Sequence, residues 1–202
     1  VNIVSQSGTL NGNIFEFRVP TDTLREFISF NGLSYNSPVN AGKVPNQNLH
    51  ALAQVDYIIV AHPLFIGDAQ KLAALHATRN NLTSVVVTPM QIYNEFSSGS
   101  QDVTAIRDFV RMFYERSTGP SDAPRYLLLY GDGSYDNKTR LTNNTNFVPS
   151  YQSVNSNDPI RSYVSDDFFV QLGPTEGVWD SGDSDKPDLG VGRFPVKSIG
   201  ES

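Results

Sequence analysis

The residues most suited to ligand chemistry follow an apolar run, Leu127–Leu129, that predicts a buried strand. Gly131, Asp132 and Gly133 place a carboxylate and flexible backbone directly after that strand. Open α/β sheets bind their ligands at the carboxyl ends of strands, so this turn is a candidate site. It contains neither a Gly-Lys-Ser/Thr phosphate loop nor a complete G-x-G-x-x-G, and no helix is predicted to follow it. A flavodoxin-like or nucleotide-binding module is therefore an alternative interpretation and not the main one.

The same turn offers oxygen atoms to a metal ion. Asp132, Ser134 and Asp136 have the alternate spacing of ligands in a helix-flanked calcium loop. Such a loop also requires a glycine next and a glutamate at its twelfth position, and Asn137 and Asn143 stand at those places. Asp and Gly are common in turns for backbone reasons, so a turn without a metal is the simpler interpretation.

The other titratable residues do not form a recognisable catalytic group. Asp166 and Asp167 are neighbours, and adjacent carboxylates on extended chain cannot face each other across a scissile bond. His50, His62 and His76 are isolated, and none accompanies a cysteine or a serine in a nucleophile-elbow sequence. We therefore predict no catalytic residue and no organic cofactor site within the chain.

The composition limits the classes of function. The 202 residues contain no cysteine, which rules out a disulfide, a thiolate metal site and a thiol nucleophile among them. The net charge is −6 and the basic residues are scattered, so nucleic acid is not a predicted partner. No apolar run approaches the roughly 20 residues of a transmembrane helix. Residues 1–10 lack the blocks of a signal peptide, so we expect the chain to begin inside a mature protein.

Strands and helices are predicted to alternate from residue 55 onward. Val55–Ala61 is almost continuously apolar, as expected of a strand covered on both faces. Asp68 can cap a helix that runs to about Asn80, and a second helix runs from about Asp102 to Ser117. Further strands are predicted at residues 83–88, 125–130, 168–172 and 189–193. Strands joined by helices imply a parallel sheet, whose edge the last two strands extend.

Both ends of the chain differ from this pattern. Residues 1–50 carry short alternating stretches at 14–19 and 26–30, and they predict a β-rich lead-in that ends a preceding domain. Residues 51–202 form the predicted α/β subdomain. The last residues look like the opening of another helix with Ser198 as its N-cap, so we expect the body of that helix to lie beyond Ser202.

A series of short stretches carries a family resemblance. The most discriminating is Asn-Gln-Asn-Leu-His at residues 46–50, just before the strand at 55–61. The others are residues 79–82, 84–87, 91–99, 102–117, 125–136, 163–169 and 187–195. Together, from about residue 42 to residue 202, they resemble the gingipain family of cysteine peptidases, and more closely its type IX secretion sortases.

The resemblance implies a caspase-like α/β architecture, a parallel sheet flanked by helices, in which this chain is the first of two subdomains. The catalytic cysteine and histidine would belong to the second subdomain, in the remainder of the peptidase domain. Family members bind calcium, which makes Asp132, Asp136, Asp166 and Asp167 the candidate calcium ligands. No catalytic residue of the family can be transferred to a position in this chain.

The resemblance also implies a role for the parent protein. It would be a cysteine endopeptidase, or a transpeptidase, at the cell surface and associated with the outer membrane of a Gram-negative bacterium. Its substrates would be exported proteins with C-terminal sorting domains, which it would remove before attaching the new C-terminus to lipopolysaccharide. Other components of the secretion system would be its partners.

On this interpretation the isolated chain is a folded scaffold without peptidase activity. A second alternative is a degenerate family member, a non-catalytic surface module that binds protein or carbohydrate. Separating the chain from a second subdomain exposes one edge or face of its sheet, so we expect it to dimerise through that surface.

Overall fold

The computed structural model describes residues 4–29, 37–40, 42–153, 157–158, 160–177 and 186–202. Contacts within the chain divide it into two compact units, residues 1–44 and residues 45–202. Residues 45–50, which the sequence assigns to the lead-in, therefore belong to the larger unit by their contacts.

The first unit contains a two-stranded antiparallel hairpin. Strand β1 (Thr9–Asn11) pairs with β2 (Ile14–Glu16), and Gly12 in the turn has a φ of +62°, a conformation that favours glycine. The hairpin confirms the β character of the lead-in, although the predicted strand at 14–19 is shorter than expected. Residues 26–29 form no strand, and Phe30 lies outside the described residues.

The second unit is a parallel sheet with helices on both faces. The strands of this unit are β3 (Tyr57–Ala61), β4 (Ser84–Val87), β5 (Tyr126–Tyr130), β6 (Tyr151–Gln152), β7 (Val164–Ser165) and β8 (Gly190–Phe194), of which β6 and β7 form a separate antiparallel pair. Its α-helices are α1 (Ile66–Asn80), α2 (Pro89–Phe96) and α3 (Val103–Arg116). In the described part of the chain, the main sheet has the order β4-β3-β5-β8 with all neighbours parallel. The predicted α/β class, with a parallel sheet and flanking helices, is confirmed.

The strand β3 lies inside the sheet because it is apolar on both faces. All of its residues are buried, and the register places Ile59 beside Val86 of β4 and Leu128 of β5. Ile58 packs in the cluster that contains Phe109 of α3, whereas Ile59 packs on the side of α1. A strand covered on both faces needs apolar side chains on both, which makes the run recognisable in the sequence.

Both predicted helices form, but one predicted cap is wrong. Helix α3 begins after Asp102, whose side chain accepts a hydrogen bond from the Thr104 backbone N–H, as an N-cap should. Helix α1 begins at Ile66, so Asp68 lies in its first turn instead of at its cap. The partial positive charge of a helix N-terminus favours a carboxylate there, and Asp68 also pairs with Lys71 at 2.7 Å.

Helix α2 is not among the predicted elements. Thr88 and Gln91 form a capping box: Thr88 Oγ1 accepts from the Gln91 N–H, and Gln91 Oε1 accepts from the Thr88 N–H at 2.8 Å. Pro89 occupies the first turn, where its missing N–H leaves no intrahelical bond unmade. The Thr-Pro-x-Gln pattern is a sequence signal that locates the start of this helix.

The predicted edge strand at residues 168–172 is wrong. A 3₁₀ helix covers Asp167–Val170, and only the short β7 precedes it. The consecutive apolar residues of this turn are all buried in the cluster that contains α3, whereas a strand would turn alternate residues away. The Arg107 guanidinium lies over the Phe168 ring and donates to the Gln171 carbonyl at 2.7 Å, which holds the turn against α3. The other predicted edge strand, at 189–193, is confirmed as β8.

Candidate functional site

The carboxyl ends of β3, β5 and β8 lie together at one end of the sheet. The candidate turn lies at this carboxyl end. The His62 N–H donates to the Tyr130 carbonyl at 3.0 Å and joins the end of β3 to that of β5. The N–H groups of Gly131 and Asp132 donate to carbonyls of the segment that ends β8, at 2.9 and 3.1 Å. These bonds hold the exits of three strands together.

Protein atoms fill the space beside Gly131. Its φ is +146°, and a Cβ at this position would lie 3.0 Å from Cβ of Phe147 and 3.2 Å from Cγ2 of Val148. The Asp132 carbonyl accepts hydrogen bonds from both Phe147 and Val148 at 3.0 Å. Because the amides of Gly131 and Asp132 already donate within the chain, they are not free to bind a phosphate. The geometry therefore argues against the nucleotide-binding alternative.

Asp132 and Asp136, two of the calcium candidates, have separate protein partners. The Asp132 carboxylate accepts from Thr145 Oγ1 at 2.6 Å and lies 3.5 Å from Lys197 Nζ. Asp136 is buried, and its carboxylate accepts from the Leu141 N–H at 2.7 Å. Each carboxylate thus stabilises part of the loop between β5 and β6.

Asp166 forms a bidentate ion pair with Arg193 of β8. Nε of Arg193 donates to one carboxylate oxygen at 2.8 Å, and Nη2 donates to the other at 2.7 Å. The Arg193 side chain is 12% exposed and the Asp166 side chain is 24% exposed. Nη1 donates to the carbonyls of Gly131 and Val148 at 2.9 and 2.7 Å. One guanidinium therefore connects β8 with the exit of β5 and with the segments around β6 and β7. The adjacent Asp167 is exposed.

In the described part of the chain, the carboxylates of the calcium candidates are not gathered into one cluster. Among the described residues, no three His, Cys, Asp or Glu side chains lie close enough together to hold a metal ion. Asp132, Asp136 and Asp166 already accept hydrogen bonds from protein donors, which leaves fewer lone pairs for a cation. One buried acceptor of the same loop, Oδ1 of Asn137, lacks a hydrogen-bond partner. Calcium binding stays a prediction that rests on the family resemblance.

His62 is the histidine at the carboxyl end of the sheet. Its ring stacks on Phe147 with the centroids 4.2 Å apart, and its Nδ1 accepts from the Leu64 N–H at 3.4 Å. Burial lowers the pKa of His62 below its ordinary value of 6.5, because desolvation disfavours the imidazolium. At pH 7 the ring is neutral, and its contacts give it a packing role.

Glu95, to which the sequence assigned no role, anchors the Asn-Gln-Asn-Leu-His stretch. Its carboxylate accepts from the Leu49 N–H and from Gln47 Nε2, each at 2.8 Å, and lies 2.7 Å from His50 Nδ1. The His50 ring also stacks on Phe96, with the centroids 4.6 Å apart. The stretch is therefore docked on α2. No local pattern links Glu95 to it, because the two lie about 45 residues apart in the chain.

A concave surface of about 430 Å³ lies beside this anchor. His50 and Phe96 line it together with residues of α3 that include Asp108, Arg111 and Glu115. Arg111 and Glu115 are paired with each other at 2.7 Å. The lining carries charges of both signs and no nucleophile, so it indicates no reaction.

No helix in the described ranges combines the length and the apolar character that crossing a membrane requires.

Comparison with known proteins finds two kinds of match. The model of peptidase family C25 matches residues 50–202. The crystal structure of dimeric latent PorU from Porphyromonas gingivalis is similar to the chain, with a TM-score of 0.68 and 36% sequence identity. That match covers 80% of this chain and 16% of the PorU chain, so the chain spans a small part of the PorU length. No curated protein matches the chain.

Proposed function

The chain belongs to peptidase family C25, the gingipain family, and from this membership we propose that it is the first, non-catalytic subdomain of a longer cysteine peptidase. The observation that carries the proposal is the family match over residues 50–202 in a chain without a cysteine. A cysteine peptidase needs a thiolate nucleophile, so that residue must come from another part of the protein.

The role of this subdomain is to support the peptidase site from one side. The exits of β3, β5 and β8 are tied together by backbone hydrogen bonds and by the Arg193–Asp166 ion pair. Strand ends that are held together in this way suit a scaffold, because a catalytic site keeps its geometry only when the residues that support it are well packed.

The similarity to PorU supports a sortase-type activity for the parent protein. The parent would remove C-terminal sorting domains from proteins exported by type IX secretion and transfer the new C-terminus to lipopolysaccharide. In that chemistry a thiolate attacks the peptide carbonyl, a histidine transfers protons, and an amine can replace water at the acyl-enzyme stage. The parent would therefore be exported, lie at the surface of the outer membrane, and contact other components of the secretion system.

The test uses the full-length protein and a substrate that carries a C-terminal sorting domain. Cleavage is followed by mass spectrometry with and without a thiol alkylator, and with and without an amine acceptor. We expect cleavage that alkylation abolishes, and a new C-terminus that carries the acceptor. The 202-residue chain, which has no thiol, is the matched control and should not cleave the substrate.

Each contrary result has a distinct meaning. Cleavage that survives alkylation would contradict the assignment as a cysteine peptidase. Cleavage by the 202-residue chain alone would contradict its role as a scaffold. A folded full-length protein that binds the sorting domain and leaves it intact would support the degenerate binding module instead.

A further inference from the structure

In the described part of the chain, the side of the sheet that α1 occupies is open along β8 and at the amino end of β5, whereas Leu128 and Tyr130 of β5 are buried. On the side that α1 occupies, the register places Tyr126 beside Gly190 and Tyr130 beside Phe194, with Gly192 between them. Tyr126 and Phe194 are 49% and 44% exposed, and a Cβ at Gly192 would meet none of the described atoms within 4 Å. We call Tyr126, Gly190, Gly192 and Phe194 the open face. It is apolar, and it is flat at β8 because two of its residues have no side chain.

The described helices lie elsewhere on the sheet. The crossover that leads to β8 runs over the opposite side, where its 3₁₀ helix and Val191 of β8 pack in the cluster of α3. Helix α1 contacts β3 and β4, the two strands farther from β8. The open face is thus a position beside α1 at which an α/β sheet would normally carry a helix.

Helix α1 presents one flank to this position. Asp68, Leu72, Leu75 and Arg79 lie on one side of the helix because their spacing is four, three and four residues. The Asp68 carboxylate accepts a hydrogen bond from Ser202 Oγ at 2.8 Å, so this side faces the segment that leaves β8. Leu75, on the same side, is 43% exposed.

The segment that leaves β8 contains a short 3₁₀ turn beside that flank. Val196 packs in the cluster on the side of α1, and Ile199–Glu201 already forms a 3₁₀ turn. Ser198 and Glu201 have the Ser-x-x-Glu spacing of a capping box, although the Ser198 side chain makes no cap bond in this turn. The Glu201 carboxylate accepts from the Lys197 N–H at 2.8 Å, which satisfies a backbone donor just before the turn. A helical turn therefore lies next to the N-terminus of α1.

We propose that the open face, together with the Leu72 and Leu75 flank of α1, is the docking surface of a helix formed by the residues that directly follow Ser202 in the full-length protein. This inference rests on the proposed function, because it requires the longer peptidase chain. The helix continues from Ile199–Glu201, runs back across β8 toward the amino ends of the strands, and lies beside α1. The glycines of β8 let its backbone approach closely, and the exposed rings of the open face contact its apolar side.

A photo-crosslinker at position 75 tests this docking in the full-length protein. Leu75 is replaced by p-benzoylphenylalanine, the protein is irradiated, and cross-linked peptides are identified by mass spectrometry. A helix rises about 1.5 Å per residue, so we expect cross-links to a peptide within about 15 residues after Ser202. The same group at Ala77, exposed on the opposite side of α1, is the control and should not label that peptide.

The cross-linking outcome is independent of catalysis. Cross-links between two copies of the protein, to a distant segment, or to no peptide at all would overturn the proposal. Specific labelling in a protein without peptidase activity would keep the docked helix and reject the proposed function.

A second variant tests the docking without the bulky cross-linker, which could itself displace the helix. Gly192→Val places a side chain in space that is open among the described residues and that the proposed helix would fill. In the full-length protein we expect Tm to fall by about 3 °C or more, because overpacking forces the helix away. Gly119→Val, at another glycine with an open surrounding, is the matched control and should change Tm by about 1 °C or less. An unchanged or raised Tm for Gly192→Val would contradict the docking.

Discussion

Burial of Glu95 acts to raise its pKa, but the hydrogen bonds from Leu49, Gln47 and His50 outweigh burial and lower the pKa below the ordinary value of 4.5. A carboxyl whose pKa is depressed by folding stabilises the folded state above its unfolded pKa. That contribution is complete above about pH 4.5 and is lost as the pH falls through the lower, folded value.

Replacing Glu95 tests this anchor directly. Glu95→Gln removes the charge that accepts the hydrogen bonds from residues 47–50, and we expect it to lower the free energy of unfolding by about 1–3 kcal/mol at pH 7. The difference from the unmodified chain should shrink as the pH falls below about 4.5, because the carboxyl then binds a proton in the unfolded chain before it does so in the folded chain. Urea unfolding between pH 7 and pH 3 measures both effects.

The control for this substitution is a carboxylate on the surface of α3. Glu115 is 58% exposed and pairs with its helix neighbour Arg111. Glu115→Gln should change the free energy of unfolding by less than about 0.5 kcal/mol. A Glu95→Gln effect of the same size, or one that does not depend on pH, would show that the docked segment does not depend on this charge.

Arg193 and Asp166 form the other important contact at the scale of residues. Lysine keeps the charge of arginine but cannot donate to both oxygens of Asp166 and to the carbonyls of Gly131 and Val148 at once. We expect Arg193→Lys to lower the free energy of unfolding by about 2–4 kcal/mol, because it leaves largely buried acceptors without donors. Denaturant unfolding with either calcium or a chelator present measures the loss.

The calcium comparison separates the two roles considered for Asp166. If Asp166 serves the ion pair, Asp166→Asn should destabilise the chain equally with calcium and with a chelator. A loss that disappears when calcium is removed would identify Asp166 as a calcium ligand. Arg125→Lys is the matched control for Arg193→Lys. Arg125 is 52% exposed, so its pair with Asp56 should contribute about 1 kcal/mol or less.

At the scale of elements, α2 depends on its N-terminal cap. The capping box of Thr88 and Gln91 satisfies backbone donors at the start of this short helix, and α2 holds Glu95 in position near its end. Short helices have little intrinsic stability, so a cap and tertiary packing together decide whether they form. The docked segment at 46–50 therefore depends indirectly on Thr88.

Removing the cap should weaken α2. We expect Thr88→Ala to lower the free energy of unfolding by about 1 kcal/mol and to speed amide exchange in α2. Thr78→Ala is the matched control, because the Thr78 hydroxyl donates to the Ala74 carbonyl within α1, a contact that gives a helix no support. Equal losses for the two variants would contradict the importance of the cap.

At the scale of the whole molecule, the sheet ends at β8, whose outer edge has no strand partner among the described residues. The Gly190 N–H donates to the Arg125 carbonyl, toward β5, so the N–H of the next residue, Val191, points to the open edge of the sheet. Unpaired strand edges associate with other strands. The expected dimerisation of the isolated chain therefore has a defined surface.

Light scattering over a range of concentrations measures this association. We expect the 202-residue chain to dimerise at high concentration and Val191→Pro to be monomeric, because proline has no N–H to donate and edge strands tolerate it. Val191→Ala keeps the N–H and should still dimerise. A chain that is monomeric at every concentration would contradict the prediction.

Local patterns were sufficient for the elements whose signal lies within a few residues. The apolar run of β3, the helix from about Asp102 to Ser117, and the α/β class all follow from periodicity. The family stretches, and the lack of a thiol nucleophile, were also readable in the sequence. Helix α2 also carries a local signal, the Thr88–Gln91 capping box at its start.

The partners of the charged residues could not be predicted from the sequence, because they depend on contacts between distant parts of the chain. Asp166 meets Arg193 only after the crossover to β8 brings residues 27 positions apart together, and Glu95 meets His50 across 45 positions. The apolar residues at 168–172 resembled a strand, but burial of consecutive residues against α3 favoured a 3₁₀ turn. Propensity acts locally, whereas ion pairs and packing are selected by the arrangement of the whole sheet.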